Sequence, residues 1–251
     1  MQKLHEVINL NQSKWYLYTT PFDYIIIDNF FKPDFASEIS KEFPKYDSDV
    51  WTFEYDNPVE MKKLCNHWDK FPKHIYLAFT HFCSNRFAKI LSDFFEIDSL
   101  IPDYGLHGGG MHAHRRGGKL NIHKDYSIHP KLNMMRNYNL IVYMTPDWKS
   151  DWNGGLEFWS HDDETSKPKE RKKTIENKFN RAVIFDTTQN SWHGLPGNLQ
   201  CPENVSRNSL AMYYVSAINE KAENRKRALF VPTKEQIGNR EIEVFCEERS
   251  K

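Results

Sequence analysis

The chain has 251 residues, 39% hydrophobic and 14% aromatic, which suits a packed core near the upper size of one globular domain. Its 34 Lys and Arg balance 34 Asp and Glu, which argues against a broadly basic nucleic-acid protein, and no window approaches the roughly 20 apolar residues that span a bilayer. The opening MQKLHEVINLNQSKW lacks a secretory apolar region, and the scattered Cys65, Cys83, Cys201 and Cys246 form no CxxC, so a reducing, cytoplasmic setting is expected.

Tyr24 to Ile27 reads as a buried strand, and Asp28 to Pro33 leads into a helix with Pro33 in its first turn. Between Pro72 and Ile97 apolar residues recur at helical spacing: Ile75, Ala78, Phe79, Phe82, then Phe87, Ile90, Leu91, Phe94. That predicts one long helix or two short ones with a face to bury. After Pro102 the texture changes. Gly105, Gly108, Gly109, Gly110, Gly117 and Gly118 punctuate the chain, and short strand-like runs follow: Lys119 to His123, Asn139 to Met144, Gly155 to Trp159, Arg181 to Phe185 and Ser209 to Val215. Such runs suggest a sandwich or barrel rather than βαβ units. The charged stretch Lys167 to Lys173 reads as a solvated loop.

The sequence holds 11 histidines, and His-x-Asp occurs at His67/Asp69, His123/Asp125 and His161/Asp163. Chance gives such a tripeptide on the order of once, so context must choose. His161 lies in a polar, acidic stretch, and His67 lies before a Phe-Pro break. His123/Asp125 closes a strand-like run. Alternation puts Asn121, His123 and Asp125 on one face and Leu120 and Ile122 on the other. A third ligand is expected from another strand end. His193 is the best candidate, following Ala182-Val183-Ile184-Phe185 and a turn-like stretch. Two histidines and one carboxylate on one face of an octahedral metal leave three positions open, the pattern of non-haem Fe(II) oxygenases. A 2-oxo acid cosubstrate then needs a fixed cation for its far carboxylate, and Arg207 offers a planar fork. Arg207, Ser209, Ala211 and Tyr213 share a strand face, and Ser209 or Tyr143 can add a neutral hydrogen bond.

Five ordered blocks carry a family resemblance: H-K-D, R-N-Y-N-L-I-V-Y-M-T-P-D-W, G-G-L-E-F, A-V-I-F-D with S-W-H-G, and S-R-N-S-L-A-M-Y-Y. Together with P-F-D-Y-I-I-I-D-N-F-F they resemble the prolyl-4-hydroxylase-like branch of the Fe(II)/2-oxoglutarate dioxygenases, from about Pro21 to Val215. The resemblance implies a mainly β (α+β) fold, a double-stranded β-helix or jelly roll with flanking helices. A single domain, 1–251, is expected, with a helix-rich support region (1–100), a jelly-roll core (101–216) and a C-terminal extension (217–251). It implies that His123, Asp125 and His193 hold Fe(II) and are the catalytic centre. It places Arg207, Tyr143 and Ser209 on 2-oxoglutarate, with O2 as co-reactant and ascorbate as a reductant. Halogenating relatives replace the carboxylate with a small residue. Asp125 is present here, which favours hydroxylation of an unactivated C–H bond in a peptidyl or small-molecule substrate.

His112, His114, Asn121 and Tyr213 are expected to line the cavity. Arg115, Arg116 and Lys119 form a basic cluster that fits either an anionic substrate or a solvated turn. The alternatives to an oxygenase are a non-enzymatic module sensing iron or 2-oxoglutarate on the same fold, and a zinc hydrolase, which has no use for Arg207.

Overall fold

The computed structural model describes residue 3 and residues 7–11 and 15–250. The opening stretch read as lacking a secretory region lies partly outside them. In chain order the elements are β1 (Tyr24–Ile27), α1 (Pro33–Glu42), β2 (Phe53–Asn57), β3 (Glu60–Cys65), α2 (Lys73–Phe82), α3 (Asn85–Phe94) and β4 (Ile101–Pro102). Then come β5 (Gly110–His114), β6 (Lys119–Lys124), β7 (Met135–Tyr143), β8 (Leu156–Asp162), β9 (Lys167–Ile175) and β10 (Ala182–Asp186). The chain closes with β11 (Trp192–Leu195), β12 (Arg207–Ser216), β13 (Leu229–Phe230) and α4 (Arg240–Ser250).

The strands pair antiparallel in the order β1-β10-β7-β12-β5-β3-β6-β11-β8-β9, with β2 on β3, β4 on β12 and β13 on β6. The sheet curls until residues of β3, β5, β6, β7, β11 and β12 face one cavity. This is the expected double-stranded β-helix.

Period-two alternation explains how one sheet serves two purposes. On β12, Leu210, Met212 and Tyr214 are buried in the core shared with the helices, while Arg207, Ser209, Ala211 and Tyr213 line the cavity. On β7, Leu140 and Val142 join that same core, and Asn139 and Ile141 turn inward. The helices bury Phe35, Ala36 and Ile39 from α1, Ile75, Ala78, Phe79 and Phe82 from α2, and Phe87, Ala88 and Leu91 from α3. Each buried Phe contributes roughly 1.5–3 kcal/mol. The stretch from Pro72 to Ile97 is two helices. Ser84 starts the second, its Oγ accepting from the Phe87 amide at 3.2 Å, so the helix begins on a satisfied donor.

Two parts depart from the sequence reading, and the packing of a third was left open by it. The hairpin β2–β3 lies inside the stretch expected to be helical support, and β3 pairs with both β5 and β6. Its alternating charges hid it, because Glu60 is buried and Lys62 half-buried rather than solvated. The Lys167 to Lys173 stretch is strand β9, not a loop. It pairs with β8 at the sheet edge, where exposed lysines and arginines discourage further pairing. The C-terminal extension returns to the core: β13 pairs with β6, and α4 packs Cys246 near Val59 and Phe230.

Candidate functional site

His123 and His193 face each other as direct partners across β6 and β11. The next pair in register is Leu120 with Leu195, so three steps on β6 match two on β11. This bulge resets the alternation. Leu120 and His123 therefore share the cavity. Asn121, expected there, turns away and donates to Val231 O at 3.0 Å and Gln236 Oε1 at 2.7 Å.

The ring nitrogens are assigned by their partners. Nδ1 of His123 lies 2.9 Å from Asn121 O, and Nδ1 of His193 lies 2.8 Å from Ser191 O. A carbonyl oxygen only accepts, so both Nδ1 atoms carry the proton and both Nε2 atoms keep a lone pair. These Nε2 atoms stand 3.8 Å from Asp125 Oδ1 and Oδ2 respectively. All three side chains are buried, and their ligand atoms lie within 4.8 Å of one another. Burial pushes the His123 imidazolium down to about 3 and lowers His193 as well. Burial works to raise the Asp125 pKa, but the Arg136 charge, with the two histidines, holds it below the usual value. The set at neutral pH is thus two neutral imidazoles and one carboxylate. Asp125 Oδ2 is buried with no hydrogen-bond partner, the orphan a cation would satisfy. The donor set fits a divalent metal of the non-haem iron kind.

Of the three His-x-Asp tripeptides, only this one joins a metal-capable group among the described residues. His161 instead accepts from the Trp192 indole at 2.9 Å, and Asp163 is fully exposed.

Arg207 opens β12 opposite His114, and Ser209 lies between Tyr143 on β7 and His112 on β5. Arg207 is 3% exposed, and its Nε donates to Gly154 O at 2.8 Å. Gly154 sits at φ +82, and a Cβ there would meet Leu199 Cδ2 at 2.9 Å and Arg207 Cδ at 3.1 Å. Only glycine serves both the turn and the passing arginine. Arg207 has no carboxylate partner among the described residues. A buried cation left so is costly, and it marks a place for an anion. His112 Nε2 and both ring nitrogens of His114 also line this region without hydrogen-bond partners. Burial drives the His112 pKa to about 3 and His114 well below its ordinary value, so both are neutral. Ser209 and Tyr213 line the cavity. Tyr143 does not; its ring lies 4.9 Å from the Arg207 guanidinium, packed with Phe158, Val183 and Phe185, and supports the arginine from behind.

The sequence reading missed Arg136. Its Nη1 lies 3.2 Å from Asp125 Oδ1, its Nη2 donates to His107 O at 2.8 Å, and it stacks between Tyr126 (3.5 Å) and Tyr213 (3.2 Å). An arginine early in a strand reads as surface unless both stacking rings are known. Phe230 was missed too. It lies over His123, with ring centres 4.8 Å apart and planes 18° from parallel. The basic cluster does not line the cavity. Arg115 stands over the Tyr46 ring at 5.1 Å, and Arg116 is spent on the carbonyls of Gln200 and Cys201.

Residues 109–215 match the family model of the 2OG-Fe(II) oxygenase superfamily. That stretch contains His123, Asp125, His193 and Arg207. No curated protein matches the chain. Solved structures share the fold. A Pseudomonas putida prolyl-4-hydroxylase has a TM-score of 0.55 at 10% identity, with 86% of this chain and 100% of that one covered. A Trichoplax adhaerens prolyl hydroxylase, in complex with a hypoxia inducible factor oxygen degradation domain peptide fragment, has 0.51 at 15%, covering 84% and 88%. HygX from Streptomyces hygroscopicus, with nickel, 2-oxoglutarate and hygromycin B bound, has 0.51 at 12%, covering 76% and 82%. The matched stretch is a 2OG-Fe(II) oxygenase domain, prolyl-4-hydroxylase-like in fold. By that match the domain at residues 109–215 is that of a 2-oxoglutarate-dependent dioxygenase enzyme. No helix among the described residues is long and apolar enough to cross a membrane.

Proposed function

We propose that His123, Asp125 and His193 hold Fe(II), that Arg207 takes the distal carboxylate of 2-oxoglutarate, and that the chain, working as one domain, hydroxylates an unactivated C–H bond of a peptidyl or small-molecule substrate. The observation that carries this is the triad: two imidazoles with tautomers set by backbone carbonyls, around a buried carboxylate oxygen that lacks a partner. Iron with 2-oxoglutarate and O2 supplies the oxidising power, with ascorbate as the reductant that keeps the metal ferrous. The protein's own part is placement. Arg136 occupies Oδ1 of Asp125 and leaves Oδ2 for the metal. Gly154 O and the Tyr143 ring hold the Arg207 fork in place, and Ser209 adds a hydroxyl beside it. Phe230 and the curled sheet keep bulk water from the triad. Four free cysteines, none in a disulfide, support a reducing, cytoplasmic setting.

The test is an anaerobic titration with Fe(II) and then 2-oxoglutarate, following the weak visible band that iron and a 2-oxo acid give together. The wild type is expected to show it and His193→Ala to lack it. No band with iron verified as bound would sink the proposal. In turnover assays His123→Ala and His193→Ala are each expected to abolish succinate formation; near-normal succinate from either would count against the ligand set.

A further inference from the structure

The charges around the cavity do not balance. Six charged side chains line it: Lys62, Arg136, Arg207 and Arg249 against Glu60 and Asp125. Loading the site does not change the balance, because Fe(II) brings two positive charges and 2-oxoglutarate two negative ones.

The surplus can be located. Arg136 has Asp125 at 3.2 Å and Asp103 behind it. Arg207, facing the loaded cosubstrate and metal, carries one unit of the surplus. Lys62 and Arg249 share one carboxylate. Glu60, 2% exposed, takes Lys62 Nζ at 3.2 Å on Oε2 and the Arg249 guanidinium on Oε1. Glu60 and Lys62 are two apart on β3 and so share its inward face. Lys62 lines the same cavity as His112, His114, His123 and His193. Two cations on one buried carboxylate leave one unit of positive charge without a counter-ion among the described residues.

We propose, building on the dioxygenase site above, that Lys62, with Arg249 beside it, binds the carboxylate or phosphate group of a small-molecule substrate. The enclosure sets the size. The cavity holds about 200 Å³, and Ala228, Phe230 and Arg249 of the C-terminal segment form one of its walls. β6 carries β11 on one side and β3 with β13 on the other, which leaves no strand edge there for an extended peptide to join.

The test uses the Fe(II)- and 2-oxoglutarate-loaded protein under argon, with isovalerate, isovaleramide and isoamylamine as probes of matched shape and different charge. Isovalerate is expected to perturb the visible band saturably without removing it, and the amide and amine to leave it unmoved. Lys62→Met should weaken isovalerate on the order of tenfold while keeping the band. Glu60→Gln frees both cations and should tighten it. Equal responses to all three probes would overturn the inference, as would an unchanged Lys62→Met. Loss of the band on adding isovalerate would place the anion at Arg207 and overturn it too. A response to a blocked glutamyl peptide in place of isovalerate would overturn the small-molecule assignment. Absence of the band before any probe is added would instead remove the iron and 2-oxoglutarate reading, and this inference with it.

Discussion

Two backbone carbonyls, Asn121 O and Ser191 O, decide what His123 and His193 can do, because each takes the Nδ1 proton and turns a lone pair toward Asp125. Arg207 is held as firmly, by Gly154 O and the Tyr143 ring. Arg207→Ala is expected to raise the 2-oxoglutarate KM about a hundredfold with a smaller effect on kcat, since it removes a charge-assisted fork rather than a ligand. Steady-state kinetics checks this, and an unchanged KM removes Arg207 from the role. Gly154→Ala should cost about 1–3 kcal/mol through its positive φ, and should also raise that KM by pushing the arginine aside. A denaturation midpoint and the same kinetics separate the two effects. At this scale the sequence was legible where a place at a strand end brings a residue to the cavity, as for His123, Asp125, His193 and Arg207. It was illegible at Asn121, because the β6 bulge depends on pairing with β11. It was illegible at Arg136, because its burial depends on Tyr126 and Tyr213 arriving from elsewhere.

The elements that close the site come from outside the jelly-roll strands: β3 precedes them and β13 and α4 follow. Apolar periodicity made α2 and α3 readable, and alternation on β12 separated Tyr214 from Tyr213 correctly. The same logic fails for β3, whose inward face carries Glu60 and Lys62, and for β13, which is two residues long. Phe230→Ala is expected to destabilise the protein by about 3 kcal/mol. It should also speed the loss of bound metal to a chelator, since the ring covers His123. Metal release at the wild-type rate would mean that Phe230 is only packing.

For the whole molecule, one curled sheet divides an apolar core under the helices from a polar cavity. The cavity makes the fold acid-sensitive. His112, His114, His123 and His193 all have folded-state pKa values pushed down by burial. The unfolded chain binds protons at these sites from about pH 6.5 downward, while the folded chain refuses them. Stability is therefore fully present above that pH and is lost as pH falls toward about 3. Denaturant midpoints of the metal-free protein between pH 7 and pH 4 should fall steadily, and less steeply in His112→Gln. A flat profile would show that these rings are not held neutral.

Chain order adds a last constraint, on assembly during synthesis. Phe230 and Arg249 come after every jelly-roll strand, so in a growing chain His123 can meet His193 before either cover arrives. The nascent protein would then present an open-mouthed site, and a metal would enter before the door is translated.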